Sequence, residues 1–276
     1  MKKCWLHKPV AKEINTMEFD YEQAKHYVEK GDFKNAELSM KAVLQKIEAE
    51  FSKEKGQLFS FNHILEVYYF RFFKNAGSQE IAYAPFNIGA FYRFYGYILL
   101  RLQKYKKAIA AYKAALDWNP VDLDSLFQLS ELYKKIKDLK NTRKVTLESW
   151  NYCCSRATLA HFYRNLGFYY LEGYQPDIAV PLYLYSNIFS PSESADRDLK
   201  YLEEALKRPT PELSIQEIQA VLKENKIPAG PNPDTIGITL RTGQLELENK
   251  NYETARDCFM LVYDVTLDEE VKNYLK

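Results

Sequence analysis

An all-α chain, an α-solenoid of antiparallel helix pairs, is the fold this sequence predicts, on three observations. Apolar residues recur at helical spacing, as in Tyr92, Tyr95, Leu99 and Leu102, then again in Ala108, Ile109, Tyr112, Ala115 and Leu116. A set of four residues returns at a fixed interval: Gly96, Ala108, Tyr112 and Pro120 reappear 71 positions later as Gly167, Ala179, Tyr183 and Pro191. Only 10 glycines and 11 prolines punctuate 276 residues, too few for many short strands and tight turns.

Composition bounds the rest. Hydrophobic residues make up 46% and charged residues 27%, ordinary for a soluble globular chain. Aromatics at 15% exclude disorder as the main state. Lys and Arg number 38 against 37 Asp and Glu, a formal charge of +1, which argues against a polyanion-coating protein. Two lysines follow Met1, but Cys4, Trp5, Leu6, His7, Lys8 and Pro9 supply no apolar run for a secretory leader. No stretch approaches the ~18 apolar residues that span a bilayer; the nearest is Tyr95 to Leu100. The expected compartment is the cytoplasm, with no membrane partner. Cys4, Cys153, Cys154 and Cys258 form no Cys-x-x-Cys pair and read as buried free thiols.

The repeating unit is two helices. In 89–122 the first helix breaks at Gln103-Lys104-Tyr105, and Pro120 stops the second. Gly96 and Ala108 are small residues at mid-helix, where they let the two helices approach closely; that use explains a glycine whose helix propensity is about 1 kcal/mol poorer than alanine's. Ala36 lies 72 residues before Ala108, and Ala255 lies 76 after Ala179, so each interval is about two units.

Taken together these residues resemble the tetratricopeptide repeat. Repeat positions 4, 7, 8, 11, 20, 24, 27 and 32 are held by Tyr92, Tyr95, Gly96, Leu99, Ala108, Tyr112, Ala115 and Pro120, and in 160–193 by Tyr163, Leu166, Gly167, Tyr170, Ala179, Tyr183, Ser186 and Pro191. The copy 17–50 keeps Ala24, Tyr27, Ala36, Met40 and Val43, with the turn Gly31-Asp32-Phe33. The copy 236–269 keeps Gly243, Ala255, Phe259 and Val262, with the turn Lys250-Asn251-Tyr252. Residues 123–156 form a weaker copy with Ser130, Thr142 and Thr146 at the small and aromatic positions, and 51–88 and 194–234 are placed by length alone. The resemblance implies a right-handed superhelix of about seven repeats, some degenerate, in a single domain over 1–276. Ser214 and Glu217 form a capping box that opens a helix to about Asn225. Thr266 and Glu269 read as a second box, opening a C-terminal capping helix at about 267–275. The segment 75–85 reads as a linker between helices.

No phosphate-binding glycine loop, nucleophile elbow or His-Glu-x-x-His is present. His26 with Glu29 and His63 with Glu66 share helix faces, which is more simply chance pairing on charged helices than a metal site. The chain is therefore expected to be no enzyme and to need no cofactor or metal. Most rings of the aromatic clusters at 68–73, 91–95 and 161–164 are expected to pack between helices. In the family, the concave groove is lined by positions 2, 5, 9, 12 and 13 of each first helix. Carried over, these are Arg93, Tyr97 and Arg101; Phe127, Glu131 and Lys134; and His161, Arg164, Phe168 and Glu172. Arginines beside aromatics are hot-spot chemistry for a peptide. The Lys/Asn clamp of the members that bind chaperone tails is absent, since positions 5 and 9 are Arg93/Tyr97, Phe127/Glu131 and Arg164/Phe168. The segment 101–144 holds eleven Lys and Arg against five Asp and Glu, and Lys104, Lys106, Lys107, Lys135, Lys137 and Lys140 sit at or beside turns, offering an edge to an acidic partner. The leading reading is a non-catalytic scaffold that binds a peptide or protein segment in the groove. The alternatives are a self-assembling homodimer and, ranked lower, a nucleic-acid-binding helical-repeat protein.

Overall fold

A computed structural model describes residues 11–51 and 57–275. The leader reading of Met1–Pro9, with Cys4, lies outside these residues. Fourteen α-helices run through the described residues, with two short strands. The first are α1 (Ala11–Glu29), α2 (Phe33–Phe51), α3 (Ile64–Phe73), α4 (Ile88–Arg101) and α5 (Tyr105–Trp118). Next come α6 (Leu123–Lys135), α7 (Leu139–Ser149), α8 (Arg156–Glu172), α9 (Pro176–Phe189) and α10 (Glu193–Leu206). The last are α11 (Ile215–Glu224), α12 (Pro233–Glu248), α13 (Tyr252–Thr266) and α14 (Glu269–Asn273). The strands β1 (Leu58–Phe59) and β2 (Ala82–Tyr83) pair in parallel, Leu58 with Ala82 and Phe59 with Tyr83. The architecture is all-α and helical-repeat, as the spacing predicts.

Close contacts sort the chain into two compact units, one over 1–62 and 79–125, the other over 63–78 and 126–276. In the first, α1 packs on α2 and α4 on α5, and α2 in turn packs on α4. Its core includes Met40, Ile47, Ile88, Tyr92, Ile98 and Trp118. In the second, α8 packs on α9, α12 on α13 and α7 on α8, while α10 and α11 each pack on α9 and α14 on α13. Helix α3 also belongs to this unit, packing on α12 with the Tyr69 hydroxyl 2.6 Å from Thr239 Oγ1. Segment 51–88 is therefore not a helix pair. The one helix among its described residues has its partner 170 positions away, and 75–85 links α3 to α4 as expected, carrying β2 within it.

Five helix pairs share one turn geometry, repeated to the residue. Each inner turn places a left-handed residue at repeat position 15: Gly31, Gln103, Lys137, Tyr174 and Lys250, with φ between 56° and 74°. At each, the next N–H reaches back five residues to a carbonyl: Asp32 to Tyr27, Lys104 to Leu99, Asp138 to Tyr133, Gln175 to Tyr170 and Asn251 to Glu246, at 2.8–2.9 Å. This is the Schellman closure, which satisfies carbonyls a helix end otherwise leaves open. Positions 8 and 24 then meet across the pair. A Cβ built on Gly96 would lie 2.8 Å from the Tyr112 ring, one on Gly167 3.0 Å from Tyr183, and one on Gly243 2.9 Å from Phe259. In the pair α6–α7 the same two positions are Ser130 and Thr146, both fully buried, with hydroxyls 2.7 Å apart. The weak copy is thus a repeat in which a hydrogen bond replaces ring-on-glycine packing.

The Ser214–Glu217 capping box is present and opens α11, which ends at Asn225. The box at Thr266 is not. Thr266 is still helical, its hydroxyl donates to the Val262 carbonyl at 2.8 Å, and Leu267 ends α13 in the left-handed region at φ 54°. Asp268 caps α14 instead, accepting from the Glu270 N–H at 2.8 Å. A box that the sequence pattern does not flag, Ser155 with Thr158, opens α8. Cys153, Cys154 and Cys258 are free thiols. Burial raises all three, Cys258 to about 11, which leaves them unreactive as nucleophiles at neutral pH. No helix of the described residues is long and apolar enough to cross a membrane.

Candidate functional site

In the first unit the predicted residues lie on α4. Arg93 is not available as an anchor. Its Nη1 donates to Asp122 Oδ1 at 2.7 Å, and its Nη2 reaches Asn62 Oδ1 at 3.3 Å. Asp122 is buried and also accepts from the Ser125 hydroxyl, while Asn87 donates to Asn62 at 2.8 Å. The arginine thus neutralises a buried carboxylate and locks the start of α6 to α4. A buried charge without its partner is costly, so this side chain is structural first. One turn on, Tyr97 is 38% exposed. Its ring lies 6.3 Å from Phe33, edge-on, and 6.5 Å from Phe94. Arg101 sits over the Phe33 ring at 4.9 Å. Phe33, Phe94, Tyr97 and Arg101 make a partly open aromatic and guanidinium surface. Phe33 falls in a turn and Phe94 in the 91–95 aromatic cluster, one position from the Arg93 stripe, so neither is among the residues predicted for the groove.

In the second unit, α6 and α8 bring most of their predicted residues into contact. The His161 ring stacks on Phe127 with centroids 4.1 Å apart and planes 12° from parallel. His161 Nε2 is 3.2 Å from Glu131 Oε1, and Lys134 Nζ donates to that same oxygen at 3.0 Å. Lys134 also donates to Asn165 Oδ1 at 3.0 Å and lies over the Phe168 ring at 4.8 Å. The spacing explains the convergence. Phe127, Glu131 and Lys134 are i, i+4, i+7 on one helix, and His161, Asn165 and Phe168 repeat that spacing on the other. Burial works against the charge of Glu131, but the His161 hydrogen bond and the Lys134 ammonium outweigh it and hold the carboxyl down to about 2.

Phe127 is buried beneath His161, so it supports the surface rather than forming it. Arg164 Nη1 donates to the Ser190 carbonyl at 3.2 Å and ties α8 to the end of α9. Glu172 is exposed near the end of α8. Asn165 is not among the residues predicted from sequence, although it lies four residues after His161. It is fully buried, and its Nδ2 has no hydrogen-bond partner. Of the lysines read as a basic edge, Lys104 is tied to the buried Glu37 carboxylate, while Lys106 and Lys107, and in the second unit Lys135, Lys137 and Lys140, are exposed. His26 and His63 lie 3.9 and 3.8 Å from Glu29 and Glu66, one helical turn on. Among the described residues no group of three or more potential ligands could hold a metal ion.

A family model of the tetratricopeptide repeat matches residues 91–122. Residues 91–122 accordingly form a tetratricopeptide repeat, and four further helix pairs share the turn geometry of that pair. The match supports a protein-interaction scaffold in general terms. No curated protein matches the chain. Solved structures similar to it include PilF of Pseudomonas aeruginosa, 11% identical, covering 95% of this chain and 98% of that one, with a TM-score of 0.49. A tetratricopeptide repeat protein of Parabacteroides merdae is 13% identical over the same shares of both chains, with a TM-score of 0.37.

Proposed function

We propose that the chain is a non-catalytic scaffold that binds a peptide or protein segment against the first helices of its repeats. The observation that carries this reading is the α6–α8 cluster. Two helices of adjacent repeats present His161, Lys134, Glu131 and Phe168 together, with both signs of charge and two rings in one place. Such a surface offers a segment both hydrogen-bond donors and a carboxylate acceptor, with aromatic contact area between them. The partly open Phe33, Phe94, Tyr97 and Arg101 surface of the first unit supports the same use.

The test is selection from a displayed library of random peptides. Tyr97→Ala and His161→Ala are the discriminating variants, because both side chains are partly open and Lys134 still answers the Glu131 carboxylate when His161 is removed. Arg93→Glu is unsuitable, since it would set a carboxylate against buried Asp122. Peptides enriched on the native chain are expected to bind one or both variants at least tenfold more weakly. Enriched peptides that bind both variants as tightly as the native chain would remove these surfaces from the proposal.

A further inference from the structure

A second feature of the 63–78 and 126–276 unit shares no residue with the cluster above. Helices α10 and α11 both pack on α9 instead of closing a repeat of their own, and the loop 207–214 bridges them. Between the three helices and this loop lies a cleft of about 270 Å³. An apolar cavity of ~150 Å³ already takes up benzene, so this one has room for about two rings.

Its chemistry is specific. Val180, Leu202, Leu206 and Val221 supply an aliphatic wall, and four prolines frame it: Pro176 and Pro181 from α9, Pro209 and Pro211 from the loop. Proline rings pack flat against aromatic faces, the contact by which aromatic grooves seize proline-rich segments. Prolines also fix the frame before anything binds, which lowers the ordering cost of binding. The polar groups at the mouth are already engaged, one as an ion pair and one with a backbone N–H. Arg208 Nη2 donates to Asp177 Oδ1 at 2.5 Å, and Glu203 Oε1 accepts from the Thr210 N–H at 2.8 Å. A ligand carrying a charge would have to break one of these pairings or leave its own charge unanswered beside an apolar wall.

We propose that this cleft is a binding site for an uncharged aromatic small molecule of about two fused rings. The probes are indole, its anionic analogue indole-3-acetate and its cationic analogue tryptamine, titrated into the full chain and followed by calorimetry and by methyl NMR. Indole is expected to bind one per chain and saturably, with both charged analogues at least tenfold weaker. Its ring-current shifts should fall on the methyls of Val180, Leu202, Leu206 and Val221. Val180→Phe and Leu206→Phe place a ring in the cleft and should each weaken indole at least tenfold. Should either variant fail to fold, the methyl shifts on the native chain decide alone. Absence of saturable binding, shifts centred elsewhere, charged analogues that bind as well as indole, or folded filling variants that still bind would each overturn the assignment.

Discussion

At the scale of single residues, the glycines of the first helices are set by the rings they face. A methyl group on Gly96 would sit 2.8 Å from the fully buried Tyr112 ring, which has no room to retreat. Gly96→Ala gains about 1 kcal/mol of helix propensity and loses about 1–3 kcal/mol to overpacking, so it should destabilise. Gly237, within α12, has open space where a methyl group would stand, with nothing within 4 Å, and Gly237→Ala should stabilise by up to about 1 kcal/mol. Denaturant midpoints of the two variants check both signs. Tyr174 is 93% exposed at φ 56°, a backbone conformation that costs a non-glycine residue about 1–2 kcal/mol. Tyr174→Gly should therefore raise the denaturant midpoint, by less than that full amount because glycine gains entropy in the unfolded chain. Gly31 shows the chain already using this solution in its first turn. Glu131 adds a pH signature. Its carboxyl titrates at about 2 in the folded chain and near 4.5 when unfolded, so its stabilisation is present above 4.5 and is lost as pH falls from 4.5 towards 2. The melting-temperature gap between the native chain and Glu131→Gln should narrow across that window.

At the scale of elements, the contact between positions 8 and 24 changes chemistry from pair to pair. Three pairs set a ring on a glycine, and α6–α7 joins Ser130 to Thr146. Thr146→Val leaves the Ser130 hydroxyl buried without its partner, a loss of about 1–3 kcal/mol. The double variant Ser130→Ala, Thr146→Val should recover much of it, giving a non-additive cycle in urea melts. This is also where the sequence was most and least informative. Ring-on-glycine pairs lie 16 positions apart in a simple spacing, so their repeats could be read directly. Ser130 and Thr146 hold the same positions, but their complementarity appears only when both hydroxyls are seen to face one another. The candidate site divides in the same way. The repeat positions carried over from the family put Glu131 and Lys134 on one helix stripe and His161 on the next, because that geometry is local to each helix. It could not show that Arg93 answers Asp122, 29 positions on, or that Phe127 lies beneath His161.

At the scale of the whole molecule, the chain path divides sequence from structure. Residues 63–78 interrupt the first unit in sequence yet pack within the second. Fragment 126–276 therefore lacks a helix of its own unit, and the α12 surface that Tyr69 bonds is left uncovered. Expressed alone, it should melt several degrees lower than the corresponding transition of the full chain and bind a hydrophobic dye. A synthetic peptide of residues 63–78 added in trans should reverse both; if melting temperature and dye binding are unchanged by the truncation, α3 contributes nothing to that unit. The helices on either side of α3 were legible because each repeat buries its apolar stripe against its sequence neighbour. Helix α3 was not, because an apolar stretch with a distant partner carries no local mark of where that partner lies.

That path also has a consequence on the ribosome. The Tyr69–Thr239 contact joins residues 170 positions apart. At ~5–20 residues per second, α3 is made roughly 10–35 seconds before the codons for its partner have been read. For that time Ile64-Leu-Glu-Val-Tyr-Tyr-Phe-Arg-Phe-Phe73, in which only Glu66 and Arg71 carry charge and every other side chain is aromatic or aliphatic, waits for α12. Synthesis of this chain thus carries an interval in which this apolar segment lacks its partner, and translation speed between codons 73 and 239 becomes a determinant of its yield.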